Sequence, residues 1–299
     1  MSHVTGHPER MTHPLPQTLI ERIGAIEALD APAKAIGKQI RNLLPAGGGV
    51  KDALSGTWLG HALHPLLTDL PIGAWTSATL LDLFGGEASR PAARKLVGVG
   101  LAAAAPTALT GWTDWADTEP GSDEVRRIGI VHALSNATAA VLYGASYAAR
   151  RRGAHATGVL YGLAGATAMS AGGWLGGDLS YARGVGVNET LFRNEPADWT
   201  PVLDASMLVD DRPTAALAGE REMLIVKRNG VIHALANRCS HRGGPLSDGE
   251  LKGDCIVCPW HDTHFRLQDG SVEQGPSTYA QPVYEARVQE GRVEVRAAP

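Results

Sequence analysis

The sequence predicts a multidomain protein in which an all-α four-helix transmembrane bundle precedes a small all-β domain. Four weakly polar apolar stretches predict the bundle: a helix that rises about 1.5 Å per residue needs roughly 20 residues to cross a hydrocarbon core of about 30 Å. After Trp199 the apolar residues recur with a period near two between frequent glycines, which is typical of short strands. All 3 cysteines lie in this last part, so metal or redox chemistry is expected there.

The charge balance excludes one broad class of function. The chain has 27 Lys and Arg residues against 31 Asp and Glu residues, for a formal net charge of −4. A nucleic-acid-binding protein needs a basic excess to meet the phosphates, so nucleic acid is not an expected partner. The 3 cysteines are also too few for a disulfide scaffold.

Residues 1–49 are predicted to form a polar tail and an amphipathic helical segment. Apolar residues recur at helical spacing from Leu19 to Leu43, and Pro32 is expected to break this segment into two helices. Such a segment packs either on its own protein or in a membrane interface, with its basic residues towards the headgroups. The tail is histidine-containing and lacks the apolar core of a signal peptide.

Residues 50–190 are predicted to form the four-span domain. Two acidic residues lie in the first span, where a central Asp costs about 2.5–3.5 kcal/mol and a Leu returns only about 0.3–0.6 kcal/mol. We expect Asp82 to reach water and Asp69 to face the bundle interior or the opposite interface. The alternative, a soluble helical bundle, is disfavoured because soluble helices average about 11–12 residues. The predicted spans are Leu66–Phe84, Leu96–Thr113, Ile128–Ala149 and Ala156–Leu175.

Three motifs give this region a family resemblance. They are Leu59-Gly60-His61-Ala62-Leu63-His64-Pro65, Asp69-Leu70-Pro71-Ile72-Gly73, and Gly172-Gly173-Trp174-Leu175 running to Gly184-Val185-Gly186-Val187. With these motifs, residues 50–190 resemble the four-span membrane family called domain of unknown function 2231. The resemblance implies a membrane location but no activity, because that family has no assigned chemistry.

Polar residues at the span ends gather at the membrane face that carries the C-terminal domain. His61 and His64 are three residues apart and can share a helix face, and His132 lies on the same side. Ionisable groups inside a bundle mark function, so these histidines are candidates for a haem b or quinone site. Alternatively, they cap helix ends and hydrogen-bond each other. Candidate neighbours of the site are Asp114, Asp178 and Tyr181.

The strongest motif of the chain lies in the predicted β domain. Cys239-Ser240-His241 is followed after 16 residues by Cys258-Pro259-Trp260-His261. A structural zinc ion is the weaker interpretation, since zinc sites prefer two-residue gaps in both ligand pairs. The motif resembles the Rieske family, in which two thiolates hold one iron of a [2Fe–2S] cluster and two imidazoles hold the other. Matching residues elsewhere in 199–296 are Arg242-Gly243-Gly244-Pro245-Leu246, Phe265, Asp269-Gly270 and Gly275-Pro276.

The resemblance implies a [2Fe–2S] cluster held by Cys239, His241, Cys258 and His261. No second cysteine follows His241, so we expect a lower-potential, ferredoxin-like cluster without the disulfide of high-potential members.

Two further residues near the motif are not expected to be ligands. Cys255 is expected to be a small buried residue, and His264 to lie on the surface. Oxygenases add a domain with a mononuclear iron after the cluster, and the sequence beyond Val295 leaves no room for one, so no oxygenase site is expected in this chain.

Together the two parts predict a membrane-anchored protein that passes single electrons. Its partners would be a reductase or ferredoxin-like donor, the lipid bilayer and an acceptor in or near the membrane. The alternative is a redox-sensing or tethering module whose membrane domain is only an anchor. Basic residues are balanced between the two membrane faces and give no orientation. Because such clusters are normally inserted in the cytoplasm, we expect the β domain to face the cytoplasm.

The spacing makes a first testable prediction about the ligands. Replacing any one of Cys239, His241, Cys258 or His261 should abolish the reduced EPR signal with average g below 2, because one of the two irons would lose a ligand. Cys255→Ser is the matched control and should keep the signal. Loss of the signal in Cys255→Ser with retention in Cys258→Ser would show that the wrong thiolate had been assigned.

Overall fold

A computed structural model describes residues 15–192 and 194–297. The predicted tail falls mostly outside these residues. The described part of the chain consists of seven α-helices followed by ten β-strands, so the order of an α region and a β region is confirmed. The first three helices are α1 (Leu15–Gly24), α2 (Asp30–Leu43) and α3 (Gly49–Ser55).

The predicted break in the N-terminal segment exists but lies earlier than expected. A short 3-10 turn, Glu27–Leu29, separates α1 from α2, and Pro32 is the third residue of α2. Proline is tolerated in the first turn of a helix because the N–H groups there have no intrahelical partner. Pro32 therefore sits at the start of a helix and does not divide one.

This N-terminal segment packs on the rest of the protein. Asp30 accepts hydrogen bonds from the Arg127 side chain at 2.7 and 2.9 Å, and Arg41 Nη1 lies 2.8 Å from Glu119 Oε1. Ile20 is buried in an apolar cluster with residues of the later helices. Of the two interpretations, the structure supports packing on the chain's own helices for this face of the segment.

Four long helices follow and contain the four apolar stretches. Two segments of the described residues, Glu87–Gly121 and Asp123–Arg151, are long and apolar enough to cross a membrane. The count of four spans is not confirmed, because the helix of the first stretch carries two aspartates and that of the fourth is rich in glycine, which has little hydropathy. The four helices are α4 (Leu63–Phe84), α5 (Arg90–Thr118), α6 (Asp123–Arg151) and α7 (His155–Gly177).

Glycines let these helices approach each other around aromatic side chains. A Cβ on Gly100 would lie 2.2 Å from Trp75 Nε1, and one on Gly165 would lie 3.0 Å from the Tyr143 ring. The Trp75 and Tyr143 rings are stacked with centroids 4.2 Å apart. Small residues at helix contacts are the usual means of close packing in membrane bundles.

The structure corrects the expectation that Asp82 reaches water. Arg150 Nη1 donates to Asp82 Oδ1 at 2.8 Å, and the two side chains are only 2% and 4% exposed. Arg150 Nε also lies 3.1 Å from Ser146 Oγ, which donates to the carbonyl of Gly158 at 2.6 Å. The ion pair therefore joins α4, α6 and the start of α7, whereas Asp69 is exposed near the start of α4.

The β region contains two antiparallel sheets. The six-stranded sheet has the order β1-β10-β9-β4-β3-β2, and the four-stranded sheet has the order β5-β6-β7-β8. The smaller sheet is inserted in sequence between β4 and β9, and an apolar cluster that includes Leu224, Leu235, Ile256 and Phe265 packs the two sheets together. The strands are β1 (Thr200–Asp204), β2 (Thr214–Ala218), β3 (Arg221–Arg228), β4 (Val231–Ala236), β5 (Glu250–Lys252), β6 (Cys255–Val257), β7 (His264–Arg266), β8 (Val272–Gln274), β9 (Val283–Gln289) and β10 (Arg292–Ala297).

The buried ion pair makes the second testable prediction. Asp82→Asn should lower the free energy of unfolding by about 3–5 kcal/mol, because it leaves the buried charge of Arg150 unpaired. Denaturant unfolding in detergent measures this change. Glu87→Gln is the matched control: it removes the carboxylate of the Arg90–Glu87 pair, whose side chains are 47% and 82% exposed, and should cost about 0–1 kcal/mol. Equal effects of the two substitutions would contradict the prediction.

Candidate metal centre

Two loops of equivalent shape carry the predicted ligands. In the loop after β4, Cys239 N–H donates to the Gly244 carbonyl and Gly243 N–H to the Cys239 carbonyl, both at 2.9 Å. In the loop between β6 and β7, Cys258 N–H donates to the Thr263 carbonyl at 2.8 Å and Asp262 N–H to the Cys258 carbonyl at 3.0 Å. The spacing of these bonds is the same in both loops. Each loop thus starts at a cysteine and holds its histidine two or three residues later.

The two cysteine side chains form a buried pair. Cys239 and Cys258 are free thiols, and both are buried. The hydrogen bond between them lowers the pKa of Cys258 to about 7 and raises that of Cys239. Backbone N–H groups of the next residues, including both histidines of the motif, act to lower both pKa values. N–H groups that point at sulfur favour the thiolate, which is the form that binds metal.

The two imidazoles form a second pair. The His241 and His261 ring centroids are 4.9 Å apart, and the rings are nearly perpendicular at 87°. Burial lowers the pKa of both imidazoles. The neighbouring basic groups lower the pKa of His241 further, whereas the charge of Asp117 acts to raise that of His261. His241 Nδ1 is buried and has no hydrogen-bond partner. A neutral imidazole with an unpartnered buried nitrogen is suited to bind a metal ion.

The arrangement fits a two-iron cluster better than a single ion. Within the described ranges, no group of three or more His, Cys, Asp or Glu side chains is placed to hold one metal ion. The donors come as a thiol pair and an imidazole pair, which matches a cluster that has one iron held by two thiolates and another by two imidazoles. The ligand assignment itself stays a prediction.

A third loop, residues 275–281, fixes the first ligand loop. The Gln281 side chain accepts from Ser240 N–H at 2.9 Å and donates to the carbonyls of Ala236 and Arg238 at 2.7 Å each. Gln281 is 2% exposed, so water could not take its place as hydrogen-bond partner of these backbone groups. The sequence analysis missed this residue, because a glutamine 20 residues beyond the motif carries no local pattern.

Two expectations for neighbouring residues have different outcomes. The burial of Cys255 is confirmed: its thiol, at 2% exposure, donates to Glu273 Oε2 at 3.1 Å, and burial raises its pKa to about 12. The expectation for His264 is wrong. It is 7% exposed, and its Nε2 lies 3.3 Å from Gln274 Nε2, because β7 is the strand between β6 and β8.

The imidazole end of the site lies against the helical region. Asp117, near the end of α5, places its Oδ2 3.7 Å from His241 Nε2. Its other oxygen, Oδ1, accepts from Lys51 Nζ of α3 at 2.6 Å. A second contact joins the two regions where Thr57 Oγ1 donates to the Ser277 carbonyl at 3.3 Å. Neither Asp117 nor Lys51 was among the predicted site residues.

The three candidate histidines of the bundle are only partly brought together. His64 Nδ1 lies 3.0 Å from the Thr107 carbonyl, and His132 Nδ1 lies 2.8 Å from the Gly172 carbonyl. His61 is exposed, and its Nδ1 lies 2.8 Å from the carbonyl of the next residue. All three histidines thus hydrogen-bond backbone carbonyls, which fits the alternative that they cap helix ends. The haem or quinone site stays a prediction.

The candidate neighbours of that site are dispersed. Asp178 is paired with Arg183, whose Nε donates to Asp178 Oδ2 at 2.7 Å. Tyr181 is 94% exposed. Asp114 lies on α5 one turn before Asp117, on the side of the bundle that faces the β region.

The chain matches two protein families, one for each region. Residues 198–285 match the Rieske [2Fe-2S] domain, and residues 60–189 match the family described as "Predicted membrane protein (DUF2231)". Neither description names a haem or a quinone.

Three relatives with known descriptions each match between a quarter and a third of this chain. Ferredoxin CarAc of Metapseudomonas resinovorans is 32% identical over 77 residues, which are 26% of this chain and 72% of the ferredoxin. The anthranilate 1,2-dioxygenase ferredoxin subunit of Burkholderia cepacia is 29% identical over 99 residues, 33% of this chain and 92% of that subunit. Human apoptosis-inducing factor 3 is 35% identical over 80 residues, 27% of this chain, and the match spans only 13% of its length.

A solved structure gives a match of similar extent. The complex of reduced oxygenase and oxidized ferredoxin in carbazole 1,9a-dioxygenase aligns with a TM-score of 0.31 and 29% identity, covering 33% of this chain and 92% of the matched chain. The family match over residues 198–285 and the similarity to Ferredoxin CarAc, which is covered to 72% of its length, show that the chain belongs to the Rieske [2Fe-2S] family. In this chain the Rieske domain follows a helical domain that matches DUF2231 over residues 60–189.

Proposed function

We propose that this chain is a membrane-anchored Rieske protein that passes single electrons between a redox partner and an acceptor in or near the membrane. The observation that carries the proposal is the position of the imidazole pair, which meets the helical region through the 3.7 Å approach of Asp117 to His241. Electrons that leave by the imidazole side therefore enter the helical domain first.

The residues that hold the cluster give it the required properties. Cys239 and Cys258 supply thiolates, and His241 and His261 supply neutral imidazoles on the side of the helical domain. When bound, the [2Fe–2S] cluster accepts and releases one electron. Neutral imidazoles in place of thiolates remove negative charge, which raises the reduction potential above that of an all-cysteine cluster. Backbone N–H groups of both loops point at the sulfur ligands, and the fold buries both cysteines away from water.

Exposed apolar side chains support the membrane part of the proposal. The outer faces of the four long helices expose large apolar residues over much of their length, and a soluble surface rarely shows such a continuous apolar area. Trp112 and Trp174 lie near the ends of α5 and α7 that face the Rieske domain, where tryptophans anchor helices at a membrane interface. The exposed apolar residues include Leu80, Leu83, Phe84, Val99, Leu109, Leu134, Val141 and Leu160.

The Rieske domain is proposed to face the cytoplasm, where such clusters are normally inserted. Labelling of an engineered cysteine near Arg292 in intact cells tests this orientation. The residue lies in the exposed β9–β10 hairpin, so it is accessible on whichever side the domain lies. Labelling by an impermeant reagent added outside would overturn the proposed orientation.

The third testable prediction concerns the acceptor. The purified full-length protein is reconstituted in liposomes, reduced with dithionite and freed of excess reductant; under anaerobic conditions its cluster should be reoxidised by an added membrane quinone, which is reduced to the quinol. A haem acceptor in the bundle would be seen as a Soret band. Optical and EPR spectra follow the cluster. His64→Ala and His132→Ala locate the acceptor: loss of the Soret band or of quinone reoxidation in both would place it at those residues.

The control is Cys239→Ser, which should lack the cluster and show only background reoxidation. If the reconstituted protein has no Soret band and added quinone does not reoxidise its cluster, the electron-transfer proposal fails. The redox-sensing or tethering alternative, with the helical domain as an anchor only, would then account for the chain.

A further inference from the structure

A buried charge pair occupies the junction of the helical and Rieske domains. Lys51 and Asp117 come from α3 and α5, and their side chains are only 4% and 2% exposed. Burying an ion costs several kcal/mol unless a partner compensates it, and here Lys51 Nζ approaches Asp117 Oδ1 at 2.6 Å. The pair therefore lies in a place from which water is largely excluded.

Within the helical domain, Lys51 contacts only one of the two carboxylate oxygens of Asp117, Oδ1. The other, Oδ2, faces His241 Nε2 at 3.7 Å. His241 Nδ1 is the buried nitrogen without a partner, so it is the nitrogen suited to bind iron. A neutral imidazole that binds metal through Nδ1 carries its proton on Nε2, the ring nitrogen that lies 3.7 Å from Asp117 Oδ2. Metal-bound histidines commonly direct this second N–H at a carboxylate, which fixes the orientation of the ring.

We propose that Asp117 is a positioning residue for His241 and that the charges of Asp117 and Lys51, each opposing the other, act on the reduction potential of the Rieske cluster from the helical domain. This inference rests on the proposed presence of the cluster but not on the identity of its electron acceptor. The helical domain then does more than anchor the chain, because it supplies a carboxylate beside His241 and the ammonium group paired with it.

The two charges act on reduction in opposite directions. Reduction adds one negative charge to the cluster, so the carboxylate of Asp117 opposes it and the ammonium group of Lys51 favours it. These effects are strong at the junction, because the Coulomb energy at a given distance rises as the effective dielectric constant falls. In the intact pair they largely cancel, and the removal of either partner exposes the effect of the other.

The fourth testable prediction follows from these opposite signs. Asp117→Asn should raise the midpoint potential, and Lys51→Gln should lower it, each by about tenfold in the equilibrium constant of reduction, or about 59 mV for one electron. The double variant should return close to the potential of the unmodified protein. Mediated redox titration of the full-length protein, followed by EPR, measures all three at one pH.

Two further variants separate this effect from a general change in charge or fold. Glu220→Gln removes an exposed carboxylate in the turn between β2 and β3 and should leave the potential unchanged. Asp117→Glu keeps the charge but displaces it, so its shift should be less than half that of Asp117→Asn. The g values of the reduced cluster should change in Asp117→Asn and stay the same in Glu220→Gln, since only the former alters a ligand ring.

The outcomes are decisive even if one variant is unstable. Shifts of the same sign in Asp117→Asn and Lys51→Gln, or unchanged potentials in both, overturn the proposal. If either single variant fails to assemble a cluster, the double variant and Asp117→Glu replace it: a double variant whose potential differs by tenfold or more in equilibrium constant from the unmodified protein also overturns the proposal. A protein that shows the predicted shifts but is not reoxidised in liposomes would refute the electron-transfer role alone.

Discussion

The constraint on which this molecule depends is the need to hold two thiolates and two imidazoles from separate loops in one small space. Each loop meets it with the same pair of backbone hydrogen bonds, which closes the turn around the cysteine. The closed turn directs N–H groups at the sulfur, so a charge that would be costly in an apolar interior is compensated by fixed dipoles. The two sheets serve to bring these turns together, since strands β4, β6 and β7 begin or end at them.

The sequence alone predicted the parts of this arrangement that depend on local pattern. The Cys-x-His and Cys-x-x-His spacing indicated the ligand loops, and the change of period after Trp199 marked the start of the β region. It did not indicate Gln281, nor the contacts of Asp117 and Lys51 at the junction, because these depend on tertiary contacts between residues far apart in the chain. The Lys51–Asp117 contact joins residues 66 positions apart, and neither residue lies in a motif.

The wrong expectations for Asp82 and His264 have related physical causes. Asp82 was expected to escape to water because its cost was estimated for a lone charge, but the structure supplies Arg150 as a partner. A sequence pattern counts charges one at a time, whereas the energy of a buried ion depends on which opposite charge the fold brings beside it. His264 was misplaced for a related reason: its burial follows from the position of β7 inside a sheet, which local hydropathy does not report.

The same pairing of buried charges occurs in two settings with different consequences. The Asp82–Arg150 pair joins helices within the bundle. The two charges satisfy each other and Arg150 also donates to Ser146, so the role of the pair is structural. In the Lys51–Asp117 pair, one carboxylate oxygen is directed out of the helical domain at a histidine of the Rieske domain. A charge that is held in place by burial but not fully used by its partner can act on a neighbouring redox centre without moving. This distinction makes the junction between the two domains, and not the helical domain as a whole, the place where we propose that the helical part of the chain influences the cluster.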